Sequence, residues 1–167
     1  MTKVLVNSTP IIGLSMIGKL SLLTDLFDDV LVPEAVFYEI IHDHTSKSHG
    51  KQELLEFIDK GTFQLYRVEN SPMVQKLYGK LHEGELEVIV GAKELNVSYV
   101  IIDEKAARTL SKTFMLTPIG TLGILILAKK KGKIEAIKPI LDELKEYNFH
   151  VSKSLYYKVL HQAGELR

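Results

Sequence analysis

The chain contains no cysteine. That excludes disulfides, thiolate zinc sites and cysteine nucleophiles, and it fits a reducing, cytoplasmic setting. Net charge is missing too, because 21 Lys and Arg balance 21 Asp and Glu. The whole-chain field therefore gives no argument for nucleic acid, and any such contact must come from a local basic patch. There is no long hydrophobic run. The stretch from Met115 to Ala128 is broken by Thr117, Pro118, Gly120, Thr121 and Gly123. A membrane span needs about 20 apolar residues, so this stretch reads as a buried helix and no membrane role is expected. The N-terminus lacks the apolar region of a signal peptide. No P-loop, no G-x-G-x-x-G and no G-x-S-x-G occurs, which leaves nucleotide hydrolases and serine hydrolases without support.

What the chain does have is alternation. At 167 residues it is expected to form a single domain, 1–167, with enough apolar residues for a proper core. Val4–Val6, Val30–Val32 and Tyr99–Ile102 read as short buried strands, Phe63–Val68 as another, and Leu116 leads a further one. Helical patterns fall between them: 11–18, 20–27, 33–41, 52–59, 72–82, 85–95, 104–112 and a long one from Gly120-Thr121 to Lys131. Thr9 is the expected N-cap of the first helix, with Pro10 at its first position. Two more helices, 135–147 and 152–162, follow. The expected fold is α/β, a short parallel sheet covered on both faces.

The chemistry-bearing candidates are acids far apart in sequence: Glu39, the pair Glu85 and Glu87, and Asp103, joined by Asn7. Carboxylates that converge at one sheet edge can hold Mg²⁺ or Mn²⁺ for phosphoryl-transfer chemistry. Asn7 follows the first strand and Asp103 closes a later one, so a parallel sheet puts both at its carboxyl edge, where ligands gather. Each residue also has a plainer reading. Asn7 can cap a turn, with Ser8 beside it, and Asp103 can cap the next helix. Glu39 can lie on a solvated flank, and Glu85 can complement a helix dipole. Glu85 and Glu87, two apart on a helix, point to different sides, so a regular helix brings only one of them to a metal.

Lys105, Arg108 and Lys112 share a helix face after Asp103, either an ordinary exposed face or a phosphate-positioning strip. Lys129–Lys133 reads as a helix C-terminus, and His42, His44 and His49 as surface.

These segments, taken in order, resemble the PIN-domain family, in particular its branch of VapC-type toxin ribonucleases. The matching pieces are Val-Leu-Val-Asn-Ser-Thr-Pro-Ile-Ile at 4–12, Val-Pro-Glu-Ala-Val-Phe-Tyr-Glu-Ile at 32–40, Gly-Glu-Leu-Glu-Val-Ile-Val-Gly-Ala at 84–92 and Val-Ile-Ile-Asp-Glu-Lys-Ala-Ala-Arg at 100–108; Gly120-Thr121-Leu122-Gly123 also fits. The resemblance implies a three-layer α/β/α sandwich and Mg²⁺- or Mn²⁺-dependent cleavage of RNA phosphodiesters. It places Asn7 where the family usually has its first metal-binding Asp, Glu39 at the second acid, Glu85 or Glu87 at the third with Glu87 fitting the helix register better, and Asp103 near the fourth. Ser8, Lys105 and Arg108 are the expected substrate contacts, with Glu104 and Thr121 supporting the acids. A small antitoxin protein and a homodimer are the implied partners. Asn7 departs from the pattern, since a neutral carbonyl should bind a metal more weakly than a carboxylate. Residues from about 134 to 167 look like a helical addition to a core of about 1–130.

Overall fold

A computed structural model describes residues 2–43, 50–79 and 81–166. His44 and His49 lie outside the described residues. The elements run β1 (Lys3–Val6), α1 (Ser8–Met16), α2 (Leu22–Leu26), β2 (Asp29–Pro33), α3 (Glu34–Ile41) and α4 (Lys51–Asp59). Then come β3 (Gln64–Tyr66), α5 (Ser71–Leu77), α6 (Glu83–Glu94), β4 (Tyr99–Ile101) and α7 (Lys105–Thr113). β5 (Thr117–Ile119), α8 (Thr121–Lys130), α9 (Lys138–Glu146) and α10 (Lys153–Gln162) are the last elements among the described residues.

Among the described residues, five strands form one sheet in the order β3-β2-β1-β4-β5, with every pairing parallel. This is the α/β architecture expected from alternating strand and helix patterns. Val4, Leu5 and Val6 are wholly buried, as a central parallel strand covered on both faces must be. α6 packs on β1, β2 and β4, while α1 and α2 contact α8. Right-handed crossovers place these two groups on opposite faces of the sheet. α3 touches both α6 and α1. The chain moves outward from β1 to β2 and β3, then crosses back to β4 and β5. The order therefore reverses between β1 and β4, and the carboxyl ends of those two strands border the crevice where ligands of open α/β sheets bind.

Several helix ends differ from the sequence reading. α1 starts at Ser8, and its N-cap is Asn7 rather than Thr9. The reason is the sheet: the Asn7 N–H still donates to the Ile101 carbonyl at 3.0 Å, so the chain stays extended to Asn7 and turns immediately after it. Pro10 then falls at the third helical position, still among the N–H groups without an intrahelical acceptor. α5 ends at Leu77 because Tyr78 is extended, and α6 starts at Glu83, running through Gly84. Glu104, not Asp103, occupies the N-cap position of α7, and its side chain makes no capping bond. α9 begins at Lys138, three residues later than its pattern suggests, with Pro139 in its first turn.

α9 and α10 are tied to the rest of the chain. Glu165 accepts from the backbone N–H groups of Ile137 and Lys138 and from Lys129 Nζ at 2.7–3.0 Å. Lys129, at the last turn of α8, is thereby engaged in an internal ion pair.

Candidate functional site

At the carboxyl end of β1, Asn7 is 4% exposed and occupies the N-cap of α1. An N-cap Asn ordinarily accepts a hydrogen bond from an N–H of the first helical turn. Here it makes no such bond, and its Oδ1 is buried with no hydrogen-bond partner. A buried acceptor left unpaired costs about 1–3 kcal/mol, so something outside the chain is the natural partner.

α6 and α3 bring acids to the same point. A Cβ at Gly84 would lie 3.1 Å from Glu39 Oε2 and 3.7 Å from Asn7 Oδ1. These two oxygens flank one small space, and any side chain at position 84 would fill it. Glu39 itself is exposed at the mouth. Glu85, 6% exposed, sits in the first turn of α6, where its Oε1 accepts from the His82 N–H at 3.4 Å. Its other oxygen, Oε2, is buried without a partner. Burial pushes the Glu85 carboxyl above its ordinary pKa, and the neighbouring charges of Glu104 and Glu39 add to that rise against the opposing effect of His82. Glu39, Glu85 and Glu104 are thus electrostatic neighbours; Glu85 itself carries one of the unpaired buried oxygens, and Asn7, which flanks Gly84 together with Glu39, carries the other.

Glu87 goes elsewhere. Its carboxylate accepts from the Ala35 N–H at 3.1 Å, near the start of α3. The N-cap of α3 is Pro33, which offers no side-chain cap, and Glu87 takes over that task from α6. Burial is the main reason its pKa lies above the usual range, opposed by the Ala35 bond. It fixes the helix that carries Glu39, and with Glu39, Glu34, Glu83 and His82 it lines one pocket beside Gly84.

Asp103 closes β4 but is committed to a different partner. Thr121 donates to it twice, from its backbone N–H at 2.7 Å and its hydroxyl at 2.6 Å. Asp103 therefore caps α8, the helix that follows the neighbouring strand β5. Its carboxyl is raised by burial, with Thr121 and the nearby Arg108 pulling it back. Gly120 makes room for this, since a Cβ there would come within 2.9 Å of Asp103 Oδ1 and 3.1 Å of Arg108 Nη1. Arg108 turns inward and donates to the Ile102 carbonyl at 3.0 Å. Lys105 and Glu104 are exposed at the start of α7, and Ser8 is buried at the first position of α1. His42 is exposed and stacks on Tyr38.

Among the described residues, no three His, Asp or Glu side chains are disposed to hold a metal ion by themselves. The two unpaired oxygens, one an amide and one a carboxylate, nevertheless suit a hard cation that takes oxygen ligands. The acidic cluster needs the neutral Asn7 oxygen to reach three donors. Its sequence signal was position alone, one residue past a central strand.

No helix among the described residues is long and apolar enough to cross a membrane. Neither a search of curated proteins nor a search of solved structures returns a match. A sequence model of the PIN domain, a nuclease-type fold that generally works with divalent metals, matches residues 3–165. That match spans nearly the whole chain, and the parallel sheet with acids at its carboxyl edge agrees with it: this chain belongs to the PIN-domain family.

Proposed function

We propose that the chain is a metal-dependent endoribonuclease in which Asn7, Glu39 and Glu85 would hold Mg²⁺ or Mn²⁺. The observation that carries this reading is that two oxygens, Asn7 Oδ1 at the carboxyl end of β1 and Glu85 Oε2 in the first turn of α6, are buried without a partner, with Gly84 beside Glu85 lying against both Glu39 and Asn7. A divalent cation there would polarise a scissile phosphate and acidify a water molecule. Glu39, exposed at the mouth, completes the oxygen set from α3. Glu104, exposed beside Glu85, is a free carboxylate able to take a proton from an attacking water. Lys105 on the next position offers its ammonium to a phosphate oxygen. Asp103 and Arg108 act through position: they fix the start of α8 and the end of β4, with Thr121 as their anchor. Glu87 holds α3 so that Glu39 stays in place.

The toxin type of ribonuclease, a cytoplasmic setting, a small antitoxin partner and a homodimer belong to the same proposal. They are supported by the resemblance of the segments at 4–12, 32–40, 84–92 and 100–108.

A second reading has its own support. A degenerate domain that binds RNA or a partner protein without cutting is favoured by the neutral amide at Asn7 and by the engagement of both Asp103 oxygens with Thr121. Metal-dependent cleavage separates the two, and metal binding tests the site on which the first depends. Mn²⁺ added to the metal-free protein should raise its melting temperature, and Glu85→Gln should remove that rise. A wild-type melting curve indifferent to millimolar Mn²⁺ and Mg²⁺ would sink the metal site.

A further inference from the structure

A cleft of about 980 Å³ opens beside the acidic group, between α1, the β5–α8 corner and α10. Thr9, Asp103 and Glu104 are among its lining residues, so it reaches the proposed base Glu104, while Asn7, Glu39 and Glu85 lie outside its lining. Ile12, Met16, Ile119, Ile126 and Phe149 give it an apolar lining. Lys105 and Arg108 enter from α7, and His150 and Lys158 from the α9–α10 arm. Lys105 and Lys158 are exposed, and neither is in an ion pair among the described residues.

The arm is held in place. Asn148 closes α9 in the left-handed conformation, φ 65°, and the Phe149 N–H donates to the Leu144 carbonyl at 2.9 Å. The Phe149 ring lies directly over Gly13, where a Cβ would come within 2.7 Å of its Cε2. Gly in a helix interior costs about 0.5–1 kcal/mol relative to Ala, and here it gives the ring a seat. The wall that carries Phe149 and His150 is therefore built before any ligand arrives.

We infer that this cleft is the track of a single RNA strand, with phosphates on Lys105 and Lys158 and unstacked bases on the apolar lining against Phe149. The α9–α10 arm is then part of the substrate surface. The inference rests on the ribonuclease reading, because Glu104, the proposed base, lines the cleft. A basic rim with an apolar lining matches a chain of phosphates and bases. Bases reach such a lining only when they are unpaired, so a duplex does not fit it. A neutral chain needs such a patch, since its overall charge attracts no polyanion.

The test uses the full chain in EDTA, where binding is read without cleavage. The probe is a fluorescein-labelled single-stranded RNA of mixed sequence, about 12 nucleotides long, followed by anisotropy at several salt concentrations. Lys158→Gln should weaken binding about fivefold and make the salt slope shallower by about 0.7. Phe149→Leu should weaken it several-fold with an unchanged slope. Lys130→Gln, exposed beyond the cleft at the end of α8, should do neither, and the same sequence as a duplex should bind less well. A melting curve checks each variant's fold, and Lys158→Gln decides if Phe149→Leu is unstable. The inference is overturned if the wild-type chain binds no RNA, or if binding ignores both Lys158→Gln and Phe149→Leu, which would assign the cleft to a protein segment instead. Mn²⁺-dependent cleavage measured on the same preparations shows whether the ribonuclease reading fails with it or survives.

Discussion

Asn7 decides more than any other residue. It sits where a carboxylate would add charge to the proposed metal set, yet its oxygen is already buried and free. Asn7→Asp should tighten Mn²⁺ binding by about tenfold, read by calorimetric titration, because ligand charge sets the affinity of hard-cation sites. An unchanged affinity would remove Asn7 from the ligands. Glu85 makes the complementary case. Burial holds its pKa above the ordinary carboxylate value, as it does for Glu87 and Asp103. The folded, metal-free protein thus keeps protons on these groups to higher pH than the unfolded chain does. The stability this gives is fully present below the unfolded pKa and is lost as pH rises through the raised folded values. From about pH 4.5 upward, the melting temperature in EDTA should therefore fall less for Glu85→Gln than for the wild type. At pH 7 the variant should melt about 2–4 °C higher, since it no longer buries an uncompensated charge. Parallel pH profiles would show that Glu85 is not the strained group.

At the scale of elements, two acids that the sequence offered as metal ligands have structural work. Glu87 caps α3 from α6, and Asp103 caps α8 from the end of β4. Glu87→Ala should cost about 1 kcal/mol and Asp103→Ala about 1–2 kcal/mol in urea unfolding. Glu87→Ala should retain the Mn²⁺-induced rise in melting temperature; losing it entirely would return Glu87 to the ligand set.

The strands were legible because β-branched runs such as Val4–Val6 and Val30–Val32 are short, apolar and flanked by polar or Pro residues. The parallel sheet followed from the alternation of elements, and with it the shared edge of Asn7 and Asp103. Helix ends were less legible, since they are set by contacts distant in sequence. The ladder bond from Asn7 to Ile101 moves the start of α1, and no local pattern records it. Register alone could not choose between Glu85 and Glu87, because the choice depends on what α3 and α7 place against α6. Nothing in residues 147–162 announced that Phe149 would land on Gly13, a contact that exists only once α9 and α10 have docked.

For the molecule as a whole, the proposed function of a neutral chain rests on local features of one region. The carboxyl end of β1 and the first turn of α6 hold the unpartnered oxygens, α7 supplies Lys105 and Arg108 to the neighbouring cleft, and the C-terminal arm forms another of its walls. The central claim is that these oxygens hold a metal that cuts RNA. Its most direct test is cleavage of a mixed RNA pool by the purified chain with Mn²⁺, with Mg²⁺ and with EDTA, beside Glu39→Gln, whose exposed side chain can change without disturbing the core. Cutting that needs the metal and drops at least about 100-fold in the variant is the predicted result. No cutting under any condition, or cutting that persists in EDTA and in Glu39→Gln, would contradict it.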